Sequence, residues 1–182
     1  MSEELEVLKA VTSRLDGAGI SYMVCGSIAA NYYTTPRMTR DIDMVIELEP
    51  CDIGKFVGLF ERDFYVDREM IAGEVSRRGM FNLIHNQSVV KIDFIIKKSS
   101  PYQRAEFSRR TGVLVGQCPM WFASPEDLVI SKLIWAKDSH SEMQLKDVAN
   151  LIGTVKNLDM EYVGQWIRKL GLERVFKEAK NE

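Results

Sequence analysis

The chain has 182 residues, of which 46% are hydrophobic and 27% are charged, and its net charge is -2. These values are typical of a globular protein, so we predict no long disordered region and either one domain or a core domain with a small helical one. The nearly balanced charge argues against general coating of DNA. The basic residues within 97–110 form either a local basic surface or, as the simpler interpretation, a solvated face.

The first predicted elements lead to a candidate phosphate-binding turn. Residues 3–16 carry apolar side chains at helical spacing and predict an amphipathic helix. Residues 21–25 predict a short buried strand, and the small residues Gly26 and Ser27 allow a second helix to begin where this strand ends. A helix N-terminus presents unpaired N–H groups and a partial positive charge, which favour phosphate oxygens. We therefore expect Gly26 and Ser27 to bind phosphate.

A pair of carboxylates opens the next predicted strand, at residues 41–48. Asp41 and Asp43 are two residues apart, so their side chains point to the same face of the strand. Repulsion between two carboxylates about 4 Å apart is roughly 4 kcal/mol at an effective dielectric constant of about 20, and a bound cation removes it. Mg2+ prefers carboxylate oxygens together with substrate phosphates, so the pair predicts a metal site that fills with a nucleotide.

A third acid, Asp93, is embedded in a strongly β-forming run of Val, Ile and Phe. If this strand pairs beside the strand of Asp41, Asp93 completes a three-carboxylate cluster and can accept the proton of an attacking hydroxyl. The alternative is an edge-strand acid that faces solvent and pairs with Lys91 or Lys97. We favour the cluster because of the two acids upstream.

The remaining segments predict a chain in two parts. We expect helices at residues 51–62, 68–78 and 102–110, an antiparallel hairpin at 80–97, and one or two short extended pieces within 112–123. From Ser124 onward the chain is predicted to be helical, because Ser124 is a good N-cap and Pro125 suits the first helical position. Further helices are expected at residues 142–155, 160–170 and 173–180. The prediction is an α+β fold: a core domain, residues 1–123, with a mixed β-sheet and helices packed on one side, followed by a helical C-terminal domain, residues 124–182.

Four charged residues outside the acidic triad have open interpretations. Lys132 lies on a helix face that otherwise looks buried, so it either reaches a triphosphate or packs its stem on Trp135 with its ammonium in water. Asp147 either positions Lys132 or Lys146 or merely decorates its helix, and we favour decoration. Arg37 and Arg40 flank the acids and either neutralise them, contact an outgoing pyrophosphate or form structural ion pairs.

Cysteine and histidine usage points to a reducing compartment. Cys25, Cys51 and Cys118 are widely spaced, which fits neither a disulfide framework nor a zinc motif, so we predict a cytoplasmic protein. His85 and His140 are isolated from each other and are predicted to be structural. The acidic N-terminus predicts no signal peptide, and no run approaches the ~20 apolar residues of a membrane helix.

The combined pattern resembles the signature of the nucleotidyltransferase superfamily related to DNA polymerase beta. A Gly-Ser helix start, an Asp-x-Asp pair and a later Asp stand here as Gly26, Ser27, Asp41, Asp43 and Asp93. The preceding Pro-Arg-Met-Thr-Arg run is similar to a form found in a small bacterial branch related to AbiEii-type toxins and to aminoglycoside and lincosamide nucleotidyltransferases. The similarity spans nearly the whole chain, because it extends to residues 81–85, 123–135 and 144–147.

This resemblance implies an enzyme that transfers a nucleoside monophosphate from a nucleoside triphosphate, such as ATP, to a hydroxyl acceptor. It implies two Mg2+ ions held by the three catalytic acids, Asp41, Asp43 and Asp93. Nucleotide binding is assigned to Gly26, Ser27, Arg40 and Lys132. A small molecule, tRNA or a protein are all open as the acceptor, and the base of the nucleotide is open as well.

Two alternative functions were weighed against this one. Haloacid dehalogenase phosphatases share the Asp-x-Asp start, but their acids follow an apolar strand, whereas here the polar loop of residues 34–40 precedes them. A non-catalytic nucleotide-binding module of the same fold, regulatory or part of a toxin–antitoxin pair, stays open. The presence of all three acids within apolar strands favours the enzyme.

Overall fold

The computed structural model describes residues 2–181. Nine α-helices lie within these residues: α1 (Glu3–Gly17), α2 (Gly26–Tyr33), α3 (Ile53–Phe60), α4 (Arg68–Arg77), α5 (Pro101–Ser108), α6 (Pro125–Ser139), α7 (Glu142–Thr154), α8 (Met160–Leu170) and α9 (Glu173–Ala179). Seven strands accompany them: β1 (Tyr22–Cys25), β2 (Asp41–Ile46), β3 (Phe64–Tyr65), β4 (Met80–His85), β5 (Lys91–Ile96), β6 (Thr111–Val115) and β7 (Cys118–Phe122).

The seven strands of residues 2–181 form one mixed sheet in the order β3-β4-β5-β2-β1-β7-β6. Strand β2 runs parallel to β5, and β1 runs parallel to β7, whereas the other neighbouring pairs are antiparallel. The predicted α+β fold with a mixed sheet is therefore confirmed, and β2 and β5 lie next to each other in its interior.

Along β2 and β5, the two faces of the sheet differ in burial. On one face, Ile42, Met44 and Phe94 are completely shielded from water. Phe56 of α3 packs edge-to-face on Phe94 and on Phe81 of β4. Helix α1 packs against β2. Such aromatic pairs contribute about 0.5–1.5 kcal/mol each beyond their buried area. Because side chains alternate along a strand, the residues between these apolar ones point to the opposite face.

Close contacts divide the described chain into two compact units. The first unit holds residues 2–28 and 38–122 and contains the sheet. The second holds residues 29–37 and 123–181, so the end of α2 and the following loop group with the C-terminal helices. Helix α6 begins as predicted, with Pro125 in its first turn and the Ser124 hydroxyl accepting a hydrogen bond from the Asp127 N–H. Among the helices of residues 2–181, none combines the length and apolarity that a bilayer crossing requires.

The hairpin between β4 and β5 contains a strained residue at its tip. Val89 has a φ of 57° and is 72% exposed. A β-branched side chain in the left-handed region costs roughly 1–2 kcal/mol, and no buried contact at this exposed position offsets that cost. Strand β5 begins at Lys91, two residues after Val89.

Replacing Val89 with asparagine is expected to stabilise the protein by about 1 kcal/mol, because asparagine tolerates the left-handed region. Urea unfolding monitored by circular dichroism measures the change. The reverse substitution, Asn157→Val, is the matched control, since Asn157 has a φ of 65°, and it is expected to destabilise the chain by a similar amount. A Val89→Asn protein no more stable than wild type would contradict the prediction.

Candidate functional site

The parallel pairing of β2 with β5 brings two of the predicted acids side by side. Asp43 lies directly beside Asp93 in the register, and Asp41 lies beside Lys91. Neighbouring strands are about 4.8 Å apart and paired residues point to the same face, so the carboxylates of Asp43 and Asp93 are neighbours. The edge-strand interpretation of Asp93 is wrong, because β5 lies between β4 and β2.

A lysine lies within this row of acids. The Lys91 ammonium is 2.8 Å from Oδ2 of Asp93 and 4.0 Å from Oδ2 of Asp41. The hydrogen bond with Asp93, together with the charges of Asp93, Asp41 and Asp43, raises the pKa of Lys91 against a partial desolvation that lowers it. Pairing of Asp93 with Lys91 had been weighed as the alternative to a catalytic cluster, and the structure contains both the pairing and the row of acids.

The turn between β1 and α2 approaches the acids closely. Gly26 has a φ of 61°, which favours glycine, and a Cβ atom placed there would lie 2.0 Å from Oδ2 of Asp43. Strand register explains the approach, because Cys25, the residue before the turn, is paired with Asp43. Ser27 follows in the first turn of α2. The backbone at the start of α2 and the Asp43 carboxylate therefore share one small region of the first unit.

The row contains a further polar residue, an asparagine, that sequence reasoning did not identify. Asn82 of β4 is paired with Asp93 on the side away from Asp43. Its side chain is half-buried on the same face as the acids. The alternation of apolar and polar residues in β4 places Asn82 on this face, but only the strand order shows that the face carries the acids.

The two arginines of the loop before β2 have different surroundings. The guanidinium of Arg37 donates from Nε and Nη2 to the two carboxylate oxygens of Asp147, both at 2.9 Å. Of the interpretations weighed for Arg37, the structural ion pair is the one observed. Arg40 is exposed next to Asp41, and within residues 2–181 it makes no hydrogen bond or ion pair.

The second unit contains a buried charge cluster centred on Asp147. The Lys132 ammonium lies 2.7 Å from Oδ2 of Asp147 and 3.1 Å from Oε1 of Gln144, and Lys132 is only 3% exposed. The alternative that places the Lys132 ammonium in water is wrong, because this residue is buried and its ammonium contacts Asp147 and Gln144. The preference for Asp147 as a surface decoration is also wrong, since Asp147 is buried and positions Lys132.

The protonation of Asp147 gives the second unit a predictable pH dependence. Burial alone would raise the pKa of Asp147, but the hydrogen bonds from Arg37 and Lys132 outweigh it and hold this pKa below its usual value. Because the folded-state pKa is the lower one, this stabilisation is complete above the unfolded value of about 3.9 and is lost as the pH falls through the folded value.

We therefore expect the difference in free energy of unfolding between wild type and Asp147→Asn to be largest near neutral pH and to shrink in acid. Urea titrations of both proteins between about pH 7 and pH 3 measure this difference. A difference that grows as the pH falls would contradict the depressed pKa.

The acid row supplies part of what a divalent cation needs. Among residues 2–181, no three His, Cys, Asp or Glu side chains are arranged as a complete set of metal ligands. Asp43 and Asp93 nevertheless fit a hard cation in chemistry and placement, because they are adjacent carboxylates on one face. Gly26 adds to this fit, since only the lack of a side chain lets the Asp43 carboxylate lie against the backbone at the start of α2. Asp41 is the most open of the three acids, with 58% of its side chain exposed.

Solved structures share this architecture at low sequence identity. An antigenic nucleotidyltransferase-like protein from Paracoccidioides brasiliensis is similar with a TM-score of 0.60 and 18% identity, over 97% of this chain and 93% of that one. The lincosamide antibiotic adenylyltransferase LnuA, bound to lincomycin, has a TM-score of 0.53 and 13% identity, over 85% and 98% of the two chains. ANT(2")-Ia in complex with adenylyl-2"-tobramycin has a TM-score of 0.52 and 13% identity, over 91% and 95%.

The chain therefore has the nucleotidyltransferase fold. No protein-family model matches it, and no curated protein sequence matches it significantly.

Proposed function

We propose that this chain is a Mg2+-dependent nucleotidyltransferase that transfers a nucleoside monophosphate from a nucleoside triphosphate to a hydroxyl acceptor. The observation that carries the proposal is the pairing of Asp43 with Asp93 beside the Gly26 turn. The fold supports it further, because LnuA is an adenylyltransferase and ANT(2")-Ia was solved with an adenylylated antibiotic.

The three acids have distinct roles in the proposed reaction. Asp41, Asp43 and Asp93 would hold the two Mg2+ ions that the resemblance implies, with Asp43 central because it pairs with both Asp93 and Cys25. When bound, Mg2+ neutralises the carboxylates and the triphosphate and stabilises the charge that develops on the transferred phosphate. Asp93 is assigned a second role, which is to accept the proton of the acceptor hydroxyl.

The bond changes of the transfer balance without a further reactant. The acceptor hydroxyl oxygen forms a bond to the α-phosphorus, and the bond between the α-phosphorus and the bridging oxygen of the pyrophosphate breaks. The hydroxyl proton passes to the carboxylate of Asp93, and pyrophosphate leaves with the electron pair of the broken bond. The products are the nucleotidylated acceptor and pyrophosphate.

Nucleotide binding is assigned to groups on both sides of the acid pair in the sequence. The N–H groups of Gly26 and Ser27 at the start of α2, with the Ser27 hydroxyl, bind the β- and γ-phosphates. Arg40 adds an exposed cation next to Asp41. Lys132 is kept as a proposed nucleotide-binding residue on the resemblance alone, and its buried ammonium is held by Asp147 and Gln144.

The acceptor can be identified by label transfer. The purified protein is incubated with Mg2+, each α-labelled nucleoside triphosphate in turn, and a cell extract that supplies small molecules, tRNA and proteins. We expect label in one acceptor class and release of an equal amount of pyrophosphate. Thermal stabilisation by a triphosphate without any release of pyrophosphate across all acceptors would overturn the proposal and support the non-catalytic binding module.

A further inference from the structure

Lys91 places a positive charge inside a row of three carboxylates. Its ammonium contacts Asp93 and faces Asp41 across the strand pair, so it lies between carboxylates of β5 and β2. Along β5, Lys91 is two residues before Asp93 and therefore shares its face of the sheet. With the three acids ionised, the row carries three negative charges and one positive charge.

We propose that Lys91 is a positioning residue that competes with a divalent cation for the carboxylate of Asp93. This inference rests on the proposed function, since the divalent cation is the one that the transfer reaction would use. In the nucleotide-free protein the Lys91 ammonium holds Asp93 toward Asp41 and keeps the row partly neutralised. A divalent cation that takes an oxygen of Asp93 displaces the ammonium.

Charge repulsion and the flexibility of the lysine side chain both favour displacement of the Lys91 ammonium over its coexistence with a bound metal ion. The Lys91 ammonium lies 2.8 Å from Oδ2 of Asp93, so a metal ion bound to that oxygen would repel it. Lysine has a long flexible stem, and the Lys91 side chain is 38% exposed, so the ammonium can move into water without unpacking a core. The competition lowers the affinity for a metal alone, so the acids fill mainly when a triphosphate brings its own phosphate oxygens.

Metal affinity measured without nucleotide tests this role. Mn2+ binding to the nucleotide-free protein is measured by electron paramagnetic resonance for wild type, Lys91→Met and the matched control Lys97→Met. Lys97 lies at the other end of β5 and pairs with Glu47 at 2.6 Å, so its loss leaves the acid row unchanged. A neighbouring charge changes proton affinity of a carboxyl by about one to three pKa units, so we expect Lys91→Met to bind Mn2+ at least about tenfold more tightly, with no change in Lys97→Met.

A second measurement uses the wild-type protein and does not depend on the folding of a variant. Lysine acetylation with acetic anhydride, read by mass spectrometry, is compared with and without saturating Mg2+. We expect labelling of Lys91 to increase when Mg2+ binds, while labelling of Lys97 stays constant. Labelling of Lys91 that stays constant or falls would overturn the inference, as would a Lys91→Met protein that binds Mn2+ no more tightly than wild type.

The two proposals fail in distinguishable ways. Tighter Mn2+ binding by Lys91→Met together with no pyrophosphate release from any triphosphate would support the role of Lys91 and remove the transfer reaction. Unchanged Mn2+ affinity together with intact transfer would remove the role of Lys91 and leave the reaction standing.

Discussion

Asp43→Asn is expected to lower nucleotidyl transfer by about a thousandfold while the fold stays intact. Asp43 is the acid closest to the Gly26 turn and lies directly beside Asp93, so its charge acts on both the metal ions and the phosphates. Loss of one well-placed electrostatic group in an active site costs about 100- to 1000-fold in rate, and Asp43 is proposed to contact more than one charged partner. Label transfer under saturating triphosphate measures the loss.

The melting temperature distinguishes the loss of the Asp43 charge from unfolding of the protein. Asparagine removes the repulsion between Asp43 and Asp93, so the melting temperature of Asp43→Asn should equal or exceed that of wild type. Glu69→Gln in α4 is the control, because it removes one exposed negative charge from the same unit without touching the acid row. Full transfer by Asp43→Asn would exclude Asp43 from the mechanism.

Asp147→Ala is expected to destabilise the second unit by about 3–5 kcal/mol, because it leaves Lys132 with a buried ammonium and no counter-charge. The guanidinium of Arg37 loses its bidentate partner at the same time, but it is one-third exposed and can turn to water. Urea unfolding at neutral pH measures the loss as a lower midpoint.

The double variant Lys132→Met, Asp147→Leu distinguishes loss of the counter-charge from loss of side-chain packing. It replaces the buried pair with apolar side chains of similar size, and such replacements are often neutral, so most of the lost stability should return. Asp138→Ala, an exposed acid on α6, is the matched control and should change stability by less than about 0.5 kcal/mol. A double variant as unstable as Asp147→Ala would show that the cluster stabilises through packing.

Local chemistry explains why most of the fold could be predicted from the sequence. The alternation in residues 41–46 predicts a strand with its acids on one face, and Ser124-Pro125 predicts a helix start, because each signal depends only on neighbouring residues. The two-residue strand β3 (Phe64–Tyr65) was not predicted, since it is too short to show any alternation.

The candidate site could be predicted only in part, because its key contacts join distant residues. The sequence shows that Asp41 and Asp43 share a face, but the position of Asp93 beside Asp43 depends on strand order and register. Lys91 could be foreseen as a partner of Asp93, whereas its approach to Asp41 follows from the parallel pairing. The ion pair of Arg37 with Asp147 spans 110 residues and leaves no local signal at either end.

The side-by-side placement of β2 and β5 has a consequence for the order of events as the chain folds. These strands are parallel and separated by more than forty residues of sequence. Their pairing closes a long loop, and the entropy cost of this closure comes before the stabilising contacts form. A nascent chain that has not yet supplied β5 can form the antiparallel β1–β2 pair but holds only two of the three acids, Asp41 and Asp43. Capacity to bind a metal or a nucleotide should therefore arise late in folding, when the interior of the sheet closes, and partly made chains should be inert toward cellular triphosphates.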